Sequence, residues 1–196
     1  MSKKGTITTS DYLPFEEYKR LLECLDKDGE YRWCIYCILS FSLGLRVSDV
    51  LRIRWKNVHD QIRVMVTEKK TSKTRYIPIG EKTREKIEFY YEKLGRPNLT
   101  SLVFQSNFND GAPVSRQYIN RLVKSWKEKY NLKVGNISTH TFRKTFGHYV
   151  YEKLGKTEEA IVYLNIIFKH RSLKTTMAYI GIRREEIDQI FNSIAI

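Results

Sequence analysis

His140, Arg143, His170 and Tyr179 carry the side chains best suited to chemistry, and all four fall in one C-terminal stretch. The run His140-Thr-Phe-Arg143 sets an imidazole and a guanidinium at a spacing that shares one face of a helix. Ser138 and Thr139 just before it are natural N-caps, so both groups are expected near a helix N-terminus, where free backbone N–H groups favour an anion. An apolar segment leads to Lys169-His170, and Tyr179 follows. A guanidinium, two imidazoles and a phenol at such a helix end would suit the handling of a phosphate. Each alone has a blander reading, since Tyr179 is one of 13 tyrosines and a lone histidine is more often structural. His59 and His148 keep that structural reading.

The elements that must position these groups follow from periodicity. Pro14 opens a helix with Phe15, Tyr18, Leu21, Leu22 and Leu25 at helical spacing, stopped by Lys27-Asp28-Gly29. A second helix from about Tyr31 is apolar almost all round, which predicts a central buried helix ending at Gly44. A short helix from Leu45 to Leu51 begins with Arg46. Ile62, Val64 and Val66 alternate with polar positions, and Arg75 to Ile79 reads as a returning strand with Pro78 at its edge, so Lys69, Lys70 and Lys73 ride on a hairpin tip. Leu102 to Phe104 is a short extended piece, and a sheet of two or three strands is all the pattern supports. Helices are expected over Glu81–Leu94, from Ser115 as cap to about Tyr130, and over His140–Leu154, Thr157–Phe168 and Lys174–Ile180. Ile187, Ile190, Phe191 and Ile194 put an apolar stripe on a last one, which would pack on its own domain or on a neighbour's.

At 196 residues and 41% hydrophobic content the chain fits one domain with a sizeable core. No apolar run approaches the roughly 18 residues of a membrane span, and the N-terminus lacks a signal-peptide pattern, so the expected location is cytoplasmic and DNA-associated, with no membrane partner. The net charge of +13, from 35 Lys and Arg against 22 Asp and Glu, points to a polyanionic partner, nucleic acid above all. Cys34 and Cys37 form a C-x-x-C inside the apolar helix with no second pair to complete a zinc site; with Cys24 they read as reduced thiols.

Taken in order, Arg46, Lys70, His140, Arg143, His170 and Tyr179 give the chain a resemblance to the tyrosine recombinases, the lambda-integrase-like phage integrase family. Gly44-Leu45-Arg46-Val47-Ser48-Asp49 is similar to the family's Gly-Leu-Arg-x-Ser-Glu box. Lys70-Thr-Ser-Lys73-Thr-Arg75-Tyr-Ile-Pro78 resembles its hairpin-lysine segment. His140-x-x-Arg143, then His170 with Ser172-Leu-Lys-Thr175-Thr176 and Tyr179, complete the set. Each box is weak alone; four in order are a strong signal. The chain departs from the pattern at Phe168-Lys169, where Leu-Gly is common, at Lys144, where His is frequent, and at Asp49 in place of Glu. The turn before His170 thus lacks its glycine, which puts Lys169 within reach of a phosphate.

The resemblance implies a mostly α-helical α+β catalytic domain over residues 12–196, behind a leader at 1–11, without the N-terminal helical domain usual in the family. It implies site-specific cutting and rejoining of double-stranded DNA through a 3′-phosphotyrosyl link to Tyr179, in a tetrameric synapse on DNA and as a monomer without it. Arg46 and Arg143 would grip the nonbridging oxygens of a pentavalent phosphorane, where rigid guanidiniums count most. His170 would add a hydrogen bond, Lys70 would protonate the leaving 5′-oxygen, and His140 would assist proton transfer or hold the phosphate. Asp49 would orient a cationic neighbour, and Lys69, Lys73, Lys144 and Lys169 would meet the DNA backbone. No metal or cofactor is called for, because the phosphotyrosine conserves the bond energy. Two rivals are a type IB topoisomerase-like activity and a DNA-binding regulator that has lost turnover.

Overall fold

The apolar run after Gly29 becomes the centre of the molecule. The computed structural model describes residues 10–67, 74–108, 111–181 and 191–194. Their order is α1 (Phe15–Lys27), α2 (Tyr31–Ser42), α3 (Val47–Val50), a 3-10 turn at Trp55–Asn57, β1 (Arg63–Thr67), β2 (Thr74–Pro78), α4 (Glu81–Lys93), α5 (Arg116–Lys129), α6 (Thr141–Lys153), α7 (Glu158–Phe168) and α8 (Leu173–Ile180). Every residue of α2 from Trp33 to Ser40 is buried, because α1, α4 and α6 cover it from different sides. Tyr36 meets Phe104 and Phe142 edge-to-face, a favourable ring geometry. Cys34 and Cys37 are buried free thiols in this helix. Burial raises Cys34 to about 11 and lifts Cys37 as well, so both are inert.

Gly44 ends the α2 region at φ +54, and a Cβ there would lie 2.8 Å from the Phe146 ring. Glycine therefore serves the left-handed turn and lets α6 approach the strand of chain leading into Arg46 and α3. β1 and β2 form a two-stranded antiparallel sheet with Met65 opposite Tyr76 and Val66 opposite Arg75. Val64 and Val66 face the core as expected, with Ile77 of β2 packed beside it, but Ile62 is 69% exposed because it precedes β1. The Leu102 segment makes one bridge to Arg54 and adds no third strand among the described residues.

The hydrophobic interior has two parts. The larger gathers α1 to α5 and Phe142 of α6. A smaller one lies between α6, α7 and α8 and holds Tyr151, Ile161, Leu164, Phe168 and Ile180. Gly147 lets these helices close up: a Cβ there would come within 2.5 Å of Ile180 Cγ2 and 3.0 Å of Phe168. No described helix is long and apolar enough to cross a membrane. Most of the expected last helix, residues 182–190, lies outside the described residues; Phe191 and Ile194 are exposed.

Candidate active site

The site forms where the two hydrophobic parts meet, at the C-terminal end of α7. Lys169 N–H donates to the Ile166 carbonyl and His170 N–H to the Asn165 carbonyl, both at 3.2 Å. This paired closure needs a left-handed residue. With no glycine available, Lys169 itself adopts it, at φ 51 and ψ 49. The turn leaves the carbonyls of Ile167 and Phe168 at the negative end of the helix dipole, where cations are favoured. Three arginines from distant parts of the chain converge there. Arg75 Nη1 donates to the Ile167 carbonyl at 2.9 Å, Arg143 Nη2 to the Phe168 carbonyl at 3.0 Å, and Arg46 Nη2 to that same oxygen at 3.4 Å. Arg143 also donates Nη1 to the Gly44 carbonyl, next to the start of the Arg46 segment.

Arg143 is 3% exposed, with its guanidinium 4.4 Å above the Phe168 ring. Burial lowers its pKa to about 10; the Tyr179 phenol works the other way, and the Arg46 and Arg75 charges add to the lowering. It remains charged at neutral pH. Arg46 is half-buried. Asp49 is 3% exposed in α3 and accepts the Ser48 hydroxyl at 3.2 Å.

Tyr179 reaches the site on α8, whose N-cap Ser172 accepts the Thr175 N–H. Its ring stands edge-to-face on Phe168 and His170, and its hydroxyl is 3.4 Å from His140 Nδ1. Burial raises the phenol pKa, while Arg143 and Arg46 pull it back towards ionisation. The Lys144 ammonium lies 5.2 Å from the Tyr179 ring centroid. Burial, then Arg143 and Arg46, lowers His170 to about 4. Desolvation followed by the charges of Arg143, Arg116, Lys144 and Arg46 also lowers His140. Both imidazoles are therefore neutral at pH 7.

One detail of the helix start differs from the sequence reading. Ser138 and Thr139 do not cap α6; His140 occupies the cap position. Ser138 Oγ accepts the His140 N–H and Thr141 Oγ1 accepts the Ser138 N–H, so the hydroxyls fold a local turn and the helix begins after it. His140 and Arg143 still face one site. Lys69, Lys70 and Lys73 lie outside the described residues. Lys169 is exposed beside the turn. His59 stacks on Tyr91, and His148 on Tyr12. Arg75 carries no motif signal of its own beyond its place in the hairpin segment, although β2 alternation puts it with Ile77 on the half-covered face. Arg116 and Asn165 have no residue-type signal of their own, and Thr176 is marked only by its place in the Ser172–Thr176 tract.

The sequence profile described as the phage integrase family matches residues 11–186. The chain belongs to that family. It is 34% identical over 145 residues to the probable integrase/recombinase YoeC of Bacillus subtilis (strain 168), covering 74% of this chain and 75% of that protein. It is 28% identical over 189 residues to the tyrosine recombinase XerD of Staphylococcus aureus (strain Mu50), covering 93% of this chain and 61% of XerD. Among solved structures, XerA recombinase superposes with a TM-score of 0.71 at 20% identity, covering 95% of this chain and 66% of that one. A lambda integrase(75-356) dimer bound to a COC′ core site superposes at 0.65 and 15% identity, covering 91% and 62%. The phage integrase domain thus has the expected mostly helical tyrosine-recombinase catalytic fold, and it spans about three-fifths of XerD's length.

Proposed function

We propose that this phage integrase family domain cuts and rejoins double-stranded DNA by transesterification at Tyr179. The observation that carries the reading is the meeting of Arg46 and Arg143 on the Phe168 carbonyl, with Tyr179 packed against the ring of the same residue. Two guanidiniums that share one oxygen in the free protein can bracket a phosphate that replaces it. They would stabilise a phosphorane most strongly when its equatorial charge is greatest.

In the reaction, the Tyr179 oxygen bonds to phosphorus as the bond to the 5′-oxygen breaks. The phenolic proton passes towards neutral His140, whose Nδ1 is in position to accept it. Lys70, by resemblance, supplies a proton to the departing 5′-oxygen, leaving a 3′-phosphotyrosyl bond and a 5′-hydroxyl. His170 contributes a neutral hydrogen-bond donor. Attack by another strand's 5′-hydroxyl reverses each transfer. Lys144, Lys169, Lys69 and Lys73 would hold the DNA backbone, and Asp49 would brace the segment bearing Arg46. Exchange between two duplexes would bring four protomers together.

The decisive experiment uses duplex DNA nicked near the cut, so that cleavage is trapped. Wild-type protein should become covalently attached, and Tyr179→Phe should bind the duplex with similar affinity and form no adduct. An adduct with Tyr179→Phe would refute the assignment of the nucleophile.

A further inference from the structure

An imidazole has two nitrogens, and in its neutral form only one of them carries a proton. The Nδ1 of His170 lies 3.1 Å from the Thr176 hydroxyl, which is fully buried on α8. The Asn165 side-chain amide donates Nδ2–H to that same hydroxyl oxygen at 3.0 Å. Asn165 sits in the last turn of α7, on the other side of the left-handed turn at Lys169, and its backbone carbonyl accepts the His170 N–H. A backbone bond and a side-chain chain of bonds thus tie the same segments together.

We propose that Asn165 and Thr176 are positioning residues that fix His170 as the Nε2–H tautomer, so that the ring presents a donor to the scissile phosphate. The proposal rests on the reading of His170 as a phosphate donor given above. A hydroxyl has one proton to give. Asn165 fills one of the two acceptor positions on the Thr176 oxygen; with the hydroxyl proton directed at Nδ1, that nitrogen is bare and the ring proton resides on Nε2. The identity of the proton-bearing nitrogen in a histidine is commonly set by the partner of the other one.

The state of the ring makes this matter. His170 stays uncharged at neutral pH, because burial and the Arg143 and Arg46 charges oppose its protonation. An imidazolium would donate from both nitrogens whatever its neighbours did. A neutral ring of the wrong tautomer would turn a lone pair towards the phosphate oxygens and subtract from the site. The flanking rings of Phe168 and Tyr179, with centroids 5.2 and 5.0 Å away, hold the imidazole plane but do not select its proton. Asn165 and Thr176 provide the selection.

Nitrogen NMR of histidine-labelled, DNA-free protein at pH 7 tests this, with His170→Gln identifying the signals. His170 in the wild type should show a protonated Nε2 and a bare Nδ1. In Asn165→Asp the acceptor-only carboxylate takes the Thr176 proton, so the Thr176 oxygen accepts from Nδ1–H and the tautomer reverses. Thr176→Val keeps the buried volume, removes the selecting hydroxyl and should give a mixed signal. Adduct formation on nicked DNA should slow by about tenfold to a hundredfold in Asn165→Asp with duplex binding unchanged, by analogy with losing the outer partner of a metal-binding histidine. A wild-type ring protonated at Nδ1, or a tautomer indifferent to both substitutions, would overturn the proposal. Failure of the wild type to form any adduct would instead overturn the assigned reaction, because the tautomer is read without DNA.

Discussion

Arg46 and Arg143 share an acceptor yet live in different surroundings, and their substitutions should separate accordingly. Arg143→Ala strands the buried Gly44 carbonyl, worth about 1–3 kcal/mol when left unsatisfied, and leaves the Phe168 carbonyl with the longer bond from Arg46. It should lower the denaturant midpoint and slow adduct formation by about a hundredfold or more, as loss of one oxyanion donor does. Arg46 is half-buried where Arg143 is almost fully buried, so Arg46→Ala should slow adduct formation comparably and lower the denaturant midpoint less. Equal destabilisation by both would contradict this contrast. His170 gives a pH signature. Its folded pKa of about 4 lies below the ordinary 6.5, so between those values the unfolded chain binds the extra proton. Stability from this group is therefore intact above about 6.5 and lost as pH falls towards 4. Unfolding curves at pH 7 and pH 5 should shift more for the wild type than for His170→Gln. These side chains were legible in the sequence because they fall within the family's motif boxes. Their resting acceptors were not, since a peptide carbonyl carries no residue identity.

At the scale of elements, caps and periodicity read well where they acted alone. Ser115 caps α5 as expected, and Thr157, expected as the first residue of α7, is its cap; each accepts a backbone N–H. The start of α6 read less well because three adjacent hydroxyl residues, Ser138, Thr139 and Thr141, compete for the same amides. Ile62 misled because alternation does not show where a strand begins. The departure at Phe168-Lys169 was visible, but its outcome depended on whether a lysine would accept a left-handed backbone. It does, at a cost that is testable. Lys169→Gly removes the Cβ penalty of about 1–2 kcal/mol and returns part of it as glycine entropy, so a net gain of roughly 0.5–1 kcal/mol is expected. If Lys169 also meets a phosphate, the same variant should bind DNA more weakly, with a salt slope shallower by about one. A more stable protein with an unchanged slope would retain the strain argument and remove Lys169 from the DNA contacts.

For the whole molecule, the +13 charge was legible from composition alone. The division of the interior was not, because it depends on which helices meet and not on how apolar each is. The segment bearing Arg46 is rooted in the larger hydrophobic part through Leu45, Val47 and Val50, whereas Tyr179 rides on the smaller one through Ile180. Cooperative units with fewer buried contacts open at lower free energy. Gentle warming should therefore shift Tyr179 away from the arginines while most of the helical circular dichroism persists, and the proposed DNA-linking capacity should disappear several degrees before the main melt. The domain would lose its proposed activity to heat while still looking folded, and would recover on cooling without having to refold.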